Sequence, residues 1–325
     1  MKIDTTLLKA FEAEINKASK ILIGTHLNPD GDALGSALGL ALYLESLGKT
    51  VEVLCHHDAP KNLRFLPTVS RVRQVPLHTD HDLGIIVDLE SFERLGTTAP
   101  YFEAMKRLVV IDHHVPHEAP GDLRIVDTGC AATALILTRL FEAMNATITA
   151  DMATCLYTGI STDTGSFRFR NTSSDALSAA ATLLENGANL ELVSEEIFQN
   201  RQLSSARLLG HALETMKLDV EDRLAWGCLS HRDFEWAKAT DEDTEGFVNE
   251  LLSIETVQIA ALLREAKPGK IRCSLRSRRG FDVASVAREF GGGGHKNAAG
   301  CNFEGSLADA EHQLVEGMRK CLASS

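Results

Sequence analysis

The chain has 325 residues, a length that suits two compact domains better than one. With 44% hydrophobic and 24% charged residues, its composition excludes disordered, collagen-like and disulfide-rich proteins. The net charge of -12 disfavours a protein that coats long nucleic acids, because both partners would be polyanions.

The cysteines and the start of the chain bear on the compartment. The seven cysteines are odd in number, widely spaced and contain no Cys-x-x-Cys pair, so neither a disulfide framework nor a zinc knuckle is indicated. Residues 1–5 do not lead into the apolar region of a signal peptide. The longest nearly apolar stretch, 33–44, is too short to cross a bilayer. We therefore expect a cytoplasmic protein that has no membrane partner.

The first two hundred residues alternate short apolar runs with helical patterns, which predicts strand-helix-strand units and a mostly parallel sheet. The predicted strands cover residues 21–25, 51–55, 84–88 and 108–112, and the predicted helices cover 33–47, 131–144, 151–161 and 174–185. All strands but the second end in, or run into, Asp or His residues. Because ligands of open α/β sheets gather at the carboxyl ends of the strands, these polar clusters are expected at one sheet edge.

The second part of the chain has a different pattern. Residues 192–216 read as a helix that joins two domains. A second domain then begins near residue 217, with predicted strands at 224–229 and 271–275 and predicted helices at 283–290 and 307–322. Between these lies a glycine-rich loop that runs from Gly291 to His295.

The strongest chemical signal is the segment 26–36, HLNPDGDALGS, which follows a predicted strand and opens a predicted helix. Asp30 and Asp32 flank a flexible glycine, and a helix N-terminus favours their negative charge. Together with His26 they form a mixed nitrogen and oxygen set of metal ligands. For this segment taken alone, the alternative that both aspartates are turn and capping residues stays open.

Further acids and imidazoles follow the other strands. Asp88 and the run Asp112-His113-His114 close two strands, and Asp163 ends a helix of small residues. The combined set can hold two divalent ions that share a carboxylate, which is the layout of two-metal phosphoryl hydrolysis. Its members are His26, Asp30, Asp32, Asp88, His113 and Asp163. Carboxylates with a few imidazoles and no thiolate favour Mn²⁺, with Mg²⁺ or Co²⁺ as alternatives.

These motifs, followed in order by Gly291 to His295, closely resemble the DHH/DHHA1 phosphoesterases over nearly the whole chain. The length and the segment 274–277, SLRS, resemble the branch of nanoRNases (oligoribonucleases) and 3'-phosphoadenosine 5'-phosphate (pAp) phosphatases. The resemblance implies an α/β fold with a parallel-sheet DHH catalytic domain at 1–190, a helical linker at 191–216 and a smaller α/β DHHA1 substrate-binding domain at 217–325. It also implies an active site in the cleft between the domains, and a homodimer.

The resemblance implies roles for individual residues as well. One metal would be held by His26, Asp30 and Asp88. The second would be held by Asp32, Asp88, His113 and Asp163, so that Asp88 bridges. Asp112 and His114 are implied as catalytic residues that orient ligands and contact the scissile phosphate. One departure from the family pattern is Glu90, at a place where many members have Asp.

A cluster of positive charge precedes the glycine-rich loop. Residues 264–279 contain seven basic residues and one acidic residue, Glu265, which leaves a surplus charge of +6. The basic residues are Arg264, Lys267, Lys270, Arg272, Arg276, Arg278 and Arg279. A solvated strand face is the alternative interpretation. The neighbouring loop can hold a phosphate through its amides and matches the family's substrate-binding motif. Arg276 and His295 are expected to bind a terminal phosphate or sugar, with Ser277, Gly293 and Gly294 as further contacts.

Two other residues have a structural interpretation. Thr133 lies at a predicted helix start and is interpreted as a cap of that helix. Arg168 follows Asp163 closely, and a structural ion pair is weighed against a phosphate contact.

The sequence thus predicts a metal-dependent hydrolase of phosphodiester and phosphomonoester bonds. Its predicted substrates are very short oligoribonucleotides and linear dinucleotides of the pApA type, cleaved to mononucleotides, and pAp, which it dephosphorylates to AMP. A cyclic-dinucleotide phosphodiesterase and an inorganic pyrophosphatase or polyphosphatase stay open as alternatives. A nucleotide-binding regulator with a decayed site is disfavoured, because every expected ligand type is present.

Overall fold

The computed structural model of the protein describes residues 3–89, 91–115, 120–278 and 280–323. Glu90, the departure from the family pattern, and Arg279, of the basic cluster, lie outside these ranges. The chain divides into two compact units, Met1–Asn200 and Arg201–Ser325.

A five-stranded sheet forms the centre of the first unit, and every neighbouring pair of its strands is parallel. In chain order the strands are β1 (Lys20–Gly24), β2 (Thr50–Leu54), β3 (Leu83–Val87), β4 (Leu108–Asp112) and β5 (Leu123–Val126), and across the sheet they lie in the order β2-β1-β3-β4-β5. The first four agree with the predicted strands to within one residue. Strands β3 and β4 are buried along their whole length, as their unbroken apolar sequences require of strands covered on both faces.

The helices of the first unit are α1 (Thr5–Lys17), α2 (Gly31–Ser46), α3 (Ala99–Glu103), α4 (Thr133–Ala143), α5 (Ala150–Asp163), α6 (Ser174–Glu185) and α7 (Leu190–Ser194). Helices α2 and α5 cross so closely that two positions at the crossing have no room for a Cβ atom. A Cβ atom on Gly35 would collide with the carbonyl oxygen of Cys155, and one on Gly159 would lie 2.7 Å from Oδ1 of Asp32. The crossing therefore brings the N-terminus of α2 beside the last turn of α5.

A mixed six-stranded sheet forms the centre of the second unit. Its strands are β6 (Lys217–Asp219), β7 (Leu224–Leu229), β8 (Ile259–Lys267), β9 (Lys270–Ser277), β10 (Gly293–His295) and β11 (Ala298–Glu304), in the order β10-β11-β9-β8-β7-β6. Only β7 and β8 pair in parallel among these strands. The helices are α8 (Leu203–Glu214), α9 (His231–Ala237), α10 (Phe247–Leu252), α11 (Val283–Glu289) and α12 (Leu307–Ala323).

Two local predictions differ from the structure. The helix predicted over 192–216 is interrupted at residues 200–202, and α8, beyond the break, packs against elements of the second unit. The predicted loop from Gly291 to His295 is a loop only in part, because Gly293, Gly294 and His295 pair with β11 as strand β10. In the described ranges, no helix has both the length and the apolar character needed to cross a bilayer.

Candidate metal centre and substrate-binding residues

The polar residues predicted at the strand ends lie together at one edge of the first sheet. His26 follows β1, Asp88 follows β3, and Asp112 is the last residue of β4. Since the strands are parallel, their carboxyl ends meet at the same edge. The crossing of α2 and α5 adds Asp32 and Asp163 to this group.

Asp30 combines a structural contact with an orientation towards the cluster. It is the N-cap of α2, and its Oδ1 accepts hydrogen bonds from the amides of Asp32 and Ala33, each at 3.0 Å. Its Oδ2 lies 3.8 Å from Nε2 of His26. Capping and metal binding, which the sequence posed as alternatives, are therefore compatible, because each uses a different oxygen.

Two imidazoles have their tautomer fixed by the backbone. Nδ1 of His26 lies 2.8 Å from the carbonyl oxygen of Leu27, and Nδ1 of His113 lies 3.2 Å from that of Cys130. Because a carbonyl oxygen only accepts, each Nδ1 carries a proton, and Nε2 is the ring atom that would bind a metal. Nε2 of His113 is buried without a hydrogen-bond partner among the described residues. A bound cation would satisfy that atom.

Asp88 lies at the centre of the cluster. Its Oδ2 is 3.4 Å from Nε2 of His26, and its Oδ1 is 3.5 Å from both Nε2 of His113 and Nδ1 of His114. Its backbone is left-handed, with φ +58°, a conformation uncommon outside glycine that concentrates at functional sites. The two oxygens of one carboxylate thus face different histidines.

Three sets of side chains have ligand atoms within 4.8 Å of one another in the described part of the chain. They are His26 with Asp30 and Asp88, Asp32 with His113 and Asp163, and Asp88 with His113 and His114. The first two sets correspond to the two ligand groups that the resemblance implies, with Asp88 between them. In the second set, Nε2 of His113 lies 3.3 Å from Oδ2 of Asp163 and 3.8 Å from Oδ2 of Asp32.

Burial and neighbouring charges shift the pKa values of the carboxylates in this cluster. Burial, and next to it the neighbouring carboxylates, raise the pKa of Asp32 and of Asp163 well above the usual range. Burial acts in the same direction on Asp88, but the rings of His26, His113 and His114 outweigh it and lower its pKa. A buried set of oxygen and imidazole donors that lacks enough positive charge fits divalent cations such as Mn²⁺.

Asp112 acts on His114 rather than facing solvent. It is fully buried, and its Oδ1 accepts from the amide of His114 at 3.1 Å and lies 2.9 Å from Nδ1 of that ring. This contact fixes the His114 ring beside Asp88. Oδ2 of Asp112 is buried and has no hydrogen-bond partner among the residues that the structure describes.

Thr133 belongs to the cluster, and its interpretation as a helix cap was wrong. The N-cap of α4 is Ala132, which has no capping side chain, and Thr133 is the first helical residue. Its hydroxyl lies 3.1 Å from Oδ1 of Asp88, and its amide donates to Oδ2 of Asp32 at 2.6 Å. The sequence offers no signal for these contacts, since the partners lie 45 and 101 residues away.

In the second unit, the strand register places Arg276 and His295 on one face of the sheet. Ala298 of β11 pairs with His295 of β10 on one side and with Arg276 of β9 on the other. Directly opposed residues of antiparallel strands share a face, and two strand spacings separate the flanking backbones by about 10 Å. Both residues can therefore contact a ligand that lies over Ala298.

The Arg276 guanidinium has no carboxylate partner within the described ranges. It donates to the carbonyl oxygen of Leu275 at 3.0 Å, and burial, followed by the charge of Arg264, lowers its pKa. Arg264 and Arg272 differ from it, since both lie beside Asp241, at 3.7 and 2.5 Å. The positive surplus predicted for this segment is thus partly compensated by an acid outside it, and Arg276 is left for an anion.

The remaining predicted contacts have distinct environments. The hydroxyl of Ser277 is buried, donates to the carbonyl oxygen of Phe281 and accepts from Asn297. A Cβ atom on Gly292 or Gly294 would collide with a backbone oxygen of β11, whereas one on Gly293 would meet no atom within 4 Å. Close packing thus requires glycine at 292 and 294, and the space above Gly293 is open.

Comparison with known proteins identifies the family of the chain. The DHH family, N-terminal domain, matches residues 20–160, and the DHHA1 domain matches residues 234–324. A bifunctional oligoribonuclease and PAP phosphatase NrnA of Thermus thermophilus is 34% identical over 98% of this chain and 94% of its own. A probable bifunctional oligoribonuclease and PAP phosphatase NrnA of Streptococcus mutans is 30% identical over 94% and 96%.

A solved structure gives the same picture of the fold. The crystal structure of an exopolyphosphatase-related protein from Bacteroides fragilis superimposes with a TM-score of 0.93 at 29% identity, covering 98% of this chain and 97% of that one. The two matched domains, the near-complete coverage and the aspartates and histidines at the strand ends lead to one conclusion: the chain belongs to the DHH/DHHA1 family of phosphoesterases.

Proposed function

We propose that this protein hydrolyses very short oligoribonucleotides and linear dinucleotides of the pApA type to mononucleotides, and dephosphorylates pAp to AMP. The observation that carries the proposal is a group of four aspartates, Asp88 among them, and three histidines, whose ligand atoms lie within 4.8 Å in three sets that overlap at Asp88 and His113. The names of the two NrnA relatives support this choice of substrates. The proposal assigns catalysis to residues 1–190 and substrate binding to 217–325, joined by 191–216.

Two divalent ions would be held in this group, and its donor set favours Mn²⁺. His26, Asp30 and Asp88 would hold one ion, and Asp32, Asp88, His113 and Asp163 the other. When bound, such ions supply an acidified water as nucleophile and positive charge for the phosphate oxygens. The protein's part is to orient both histidine rings, since the carbonyl oxygens of Leu27 and Cys130 hold Nδ1, and Nε2 is left as the atom that would bind a metal.

His114 is the proposed contact to the scissile phosphate. With Nδ1 beside Oδ1 of Asp112, the ring carries a proton there and is held in one orientation. A second proton on Nε2 would let it donate to a phosphate oxygen or to the leaving oxygen. Asp112 positions this ring, and we assign it no direct contact with substrate.

Arg276 and His295 are the proposed anchors for the substrate's terminal phosphate or sugar. Arginine binds phosphate oxygens in a bidentate way, and Arg276 lacks the acidic partner that Arg272 has. Gly293 lies on the face of His295, two residues away on the same strand, and its open space permits close approach of a ligand. Gly294 would contribute its backbone, and Ser277 would support the strand that carries Arg276.

The test is a product analysis of pApA and pAp after incubation with Mn²⁺, by ion-exchange chromatography with an EDTA control. We expect AMP from both substrates, and orthophosphate from pAp alone, only when the metal is present. Unchanged pApA and pAp in the presence of Mn²⁺ would contradict the proposed substrates. A homodimer, predicted from the family resemblance, would be tested on the same sample by light scattering.

A second candidate substrate class is inorganic. The Bacteroides fragilis protein of similar structure is described as exopolyphosphatase-related, which favours a polyphosphate or pyrophosphate substrate. Pyrophosphate, tripolyphosphate and a cyclic dinucleotide should therefore be assayed beside pApA. A kcat/KM for any of them above that for pApA would assign the metal centre to that substrate instead.

A further inference from the structure

We infer that Thr133 is a positioning residue that ties two carboxylates of the metal centre together. This inference rests on the proposed function, because it concerns the ligands of the proposed metals. One residue provides both contacts: its hydroxyl donates to Oδ1 of Asp88, and its amide donates to Oδ2 of Asp32. Thr133 is fully buried, so water does not replace either bond.

The hydroxyl contact determines how Asp88 can bind a metal. Each carboxylate oxygen has two lone pairs, and Thr133 takes one lone pair of Oδ1. The other lone pair of Oδ1 remains for the ion held with His113, whose Nε2 lies 3.5 Å away. Oδ2, beside His26, has no such bond to Thr133. Thr133 thus orients the shared carboxylate with respect to both proposed ions.

The amide contact fixes Asp32 by the start of α4. The amides of Thr133 and Ala134 donate to the two oxygens of Asp32, at 2.6 and 2.8 Å. Asp32 thereby caps a helix whose own N-cap, Ala132, has no capping side chain. The first turn of α4 therefore sets the position of Asp32, and the Thr133 hydroxyl sets Asp88 relative to it.

The test is calorimetric titration of Mn²⁺ into the full chain after EDTA treatment and dialysis. Thr133→Val removes the hydroxyl but keeps the shape and the amide, and Thr133→Ser keeps a hydroxyl. Thr138→Val is the matched control: Thr138 is equally buried on the same helix, but its hydroxyl donates to the carbonyl oxygen of Ala134. Thermal melting in EDTA reports the fold of each variant independently of metal.

Loss of an outer partner of a metal ligand typically costs about 10–100-fold in metal affinity. We expect that loss for Thr133→Val and for Thr133→Ala, with near wild-type affinity for Thr133→Ser and Thr138→Val. The use of two replacements keeps the test decisive if one of them does not fold. Wild-type Mn²⁺ affinity in the folded Val or Ala variant would overturn the positioning role alone. A wild-type protein that binds no Mn²⁺ would instead overturn the proposed metal centre, and this role with it.

Discussion

Nε2 of His113 lies 3.3 Å from Oδ2 of Asp163, yet forms no hydrogen bond within the described part of the chain. The Nδ1 atom of the same ring is held by the carbonyl oxygen of Cys130, so Nε2 is the ring atom that faces this carboxylate. A cation bound between these two atoms would give both of them a partner.

Mn²⁺ should therefore stabilise the folded protein. An ion that binds only the native state adds about 2.7 kcal/mol per site at a hundred times its Kd. Differential scanning calorimetry in EDTA and in excess Mn²⁺ should show a rise in Tm. The variant Asp163→Asn should lose much of this rise, whereas Glu235→Gln, an exposed acid on α9, should keep it. An equal rise in Asp163→Asn would contradict the site.

Asp88→Asn should abolish activity without loss of the fold. Asparagine tolerates the left-handed backbone found at this position, so the change removes charge rather than geometry. We expect a fall in kcat of at least about 100-fold. The reason is that mutation of even the outer partners of a metal ligand typically lowers activity by about 10–100-fold. Steady-state kinetics on pApA, with circular dichroism as the fold control, provide the measurement. A kcat within a few-fold of the wild-type value would contradict the role of Asp88 as a metal ligand.

Arg276→Met should weaken substrate binding and leave Mn²⁺ binding unchanged. Hydrogen bonds to charged groups contribute about 1.5–3 kcal/mol, so kcat/KM for pApA should fall by one to two orders of magnitude. Arg272→Met is the matched control, four residues earlier on the same strand, because that guanidinium pairs with Asp241. Equal losses in both variants would favour a general effect of positive charge.

Two adjacent glycines should respond differently to a methyl group. Gly292→Ala places a Cβ atom in collision with the carbonyl oxygen of Gly300, and overpacking of this kind costs about 1–3 kcal/mol. Gly293→Ala meets open space, so its Tm should not change. If substrate approaches Gly293, the KM of Gly293→Ala for pApA should rise about ten-fold, since one methyl group changes the binding free energy in a tight site by about 1–3 kcal/mol. An unchanged KM in Gly293→Ala would place the ligand elsewhere.

Glu52 should make stability depend on pH. Burial alone would raise its pKa, but the amide of Leu77 and the rings of His78 and His81 lower it below the usual 4.5. The pKa of Glu52 is therefore lower in the folded than in the unfolded protein, so the ionised carboxylate stabilises the fold. This stabilisation is complete above pH 4.5 and is lost as the pH falls through the folded-state pKa.

The variant Glu52→Gln tests this dependence. It should lower the free energy of unfolding by about 1.5–3 kcal/mol at pH 7, as expected for loss of hydrogen bonds to a charged group. Urea denaturation of both proteins should show this difference shrinking as the pH falls below 4.5, through the lowered folded-state pKa. A difference that grows on acidification would reverse the assigned sign.

The sequence predicted four strands of the first sheet well because these strands are short, mainly apolar runs, three of which end in or run into Asp or His. The short strand β5 was not predicted, since Leu123–Val126 alternates buried and half-buried residues over four positions only. Strand β8 was also not predicted as such. The contacts of Thr133 and the pairing of Arg272 with Asp241 depend on residues far apart in the chain, and no local pattern indicates them.

The close crossing of α2 and α5 has a consequence for genetic screens. Gly35 and Gly159 carry no reactive group, yet the backbone contact between them sets the distance from Asp32 to Asp163. A random search for inactive alleles should therefore recover substitutions at these two glycines as well as at the acids. Such alleles would identify residues that position the metal ligands rather than the ligands themselves.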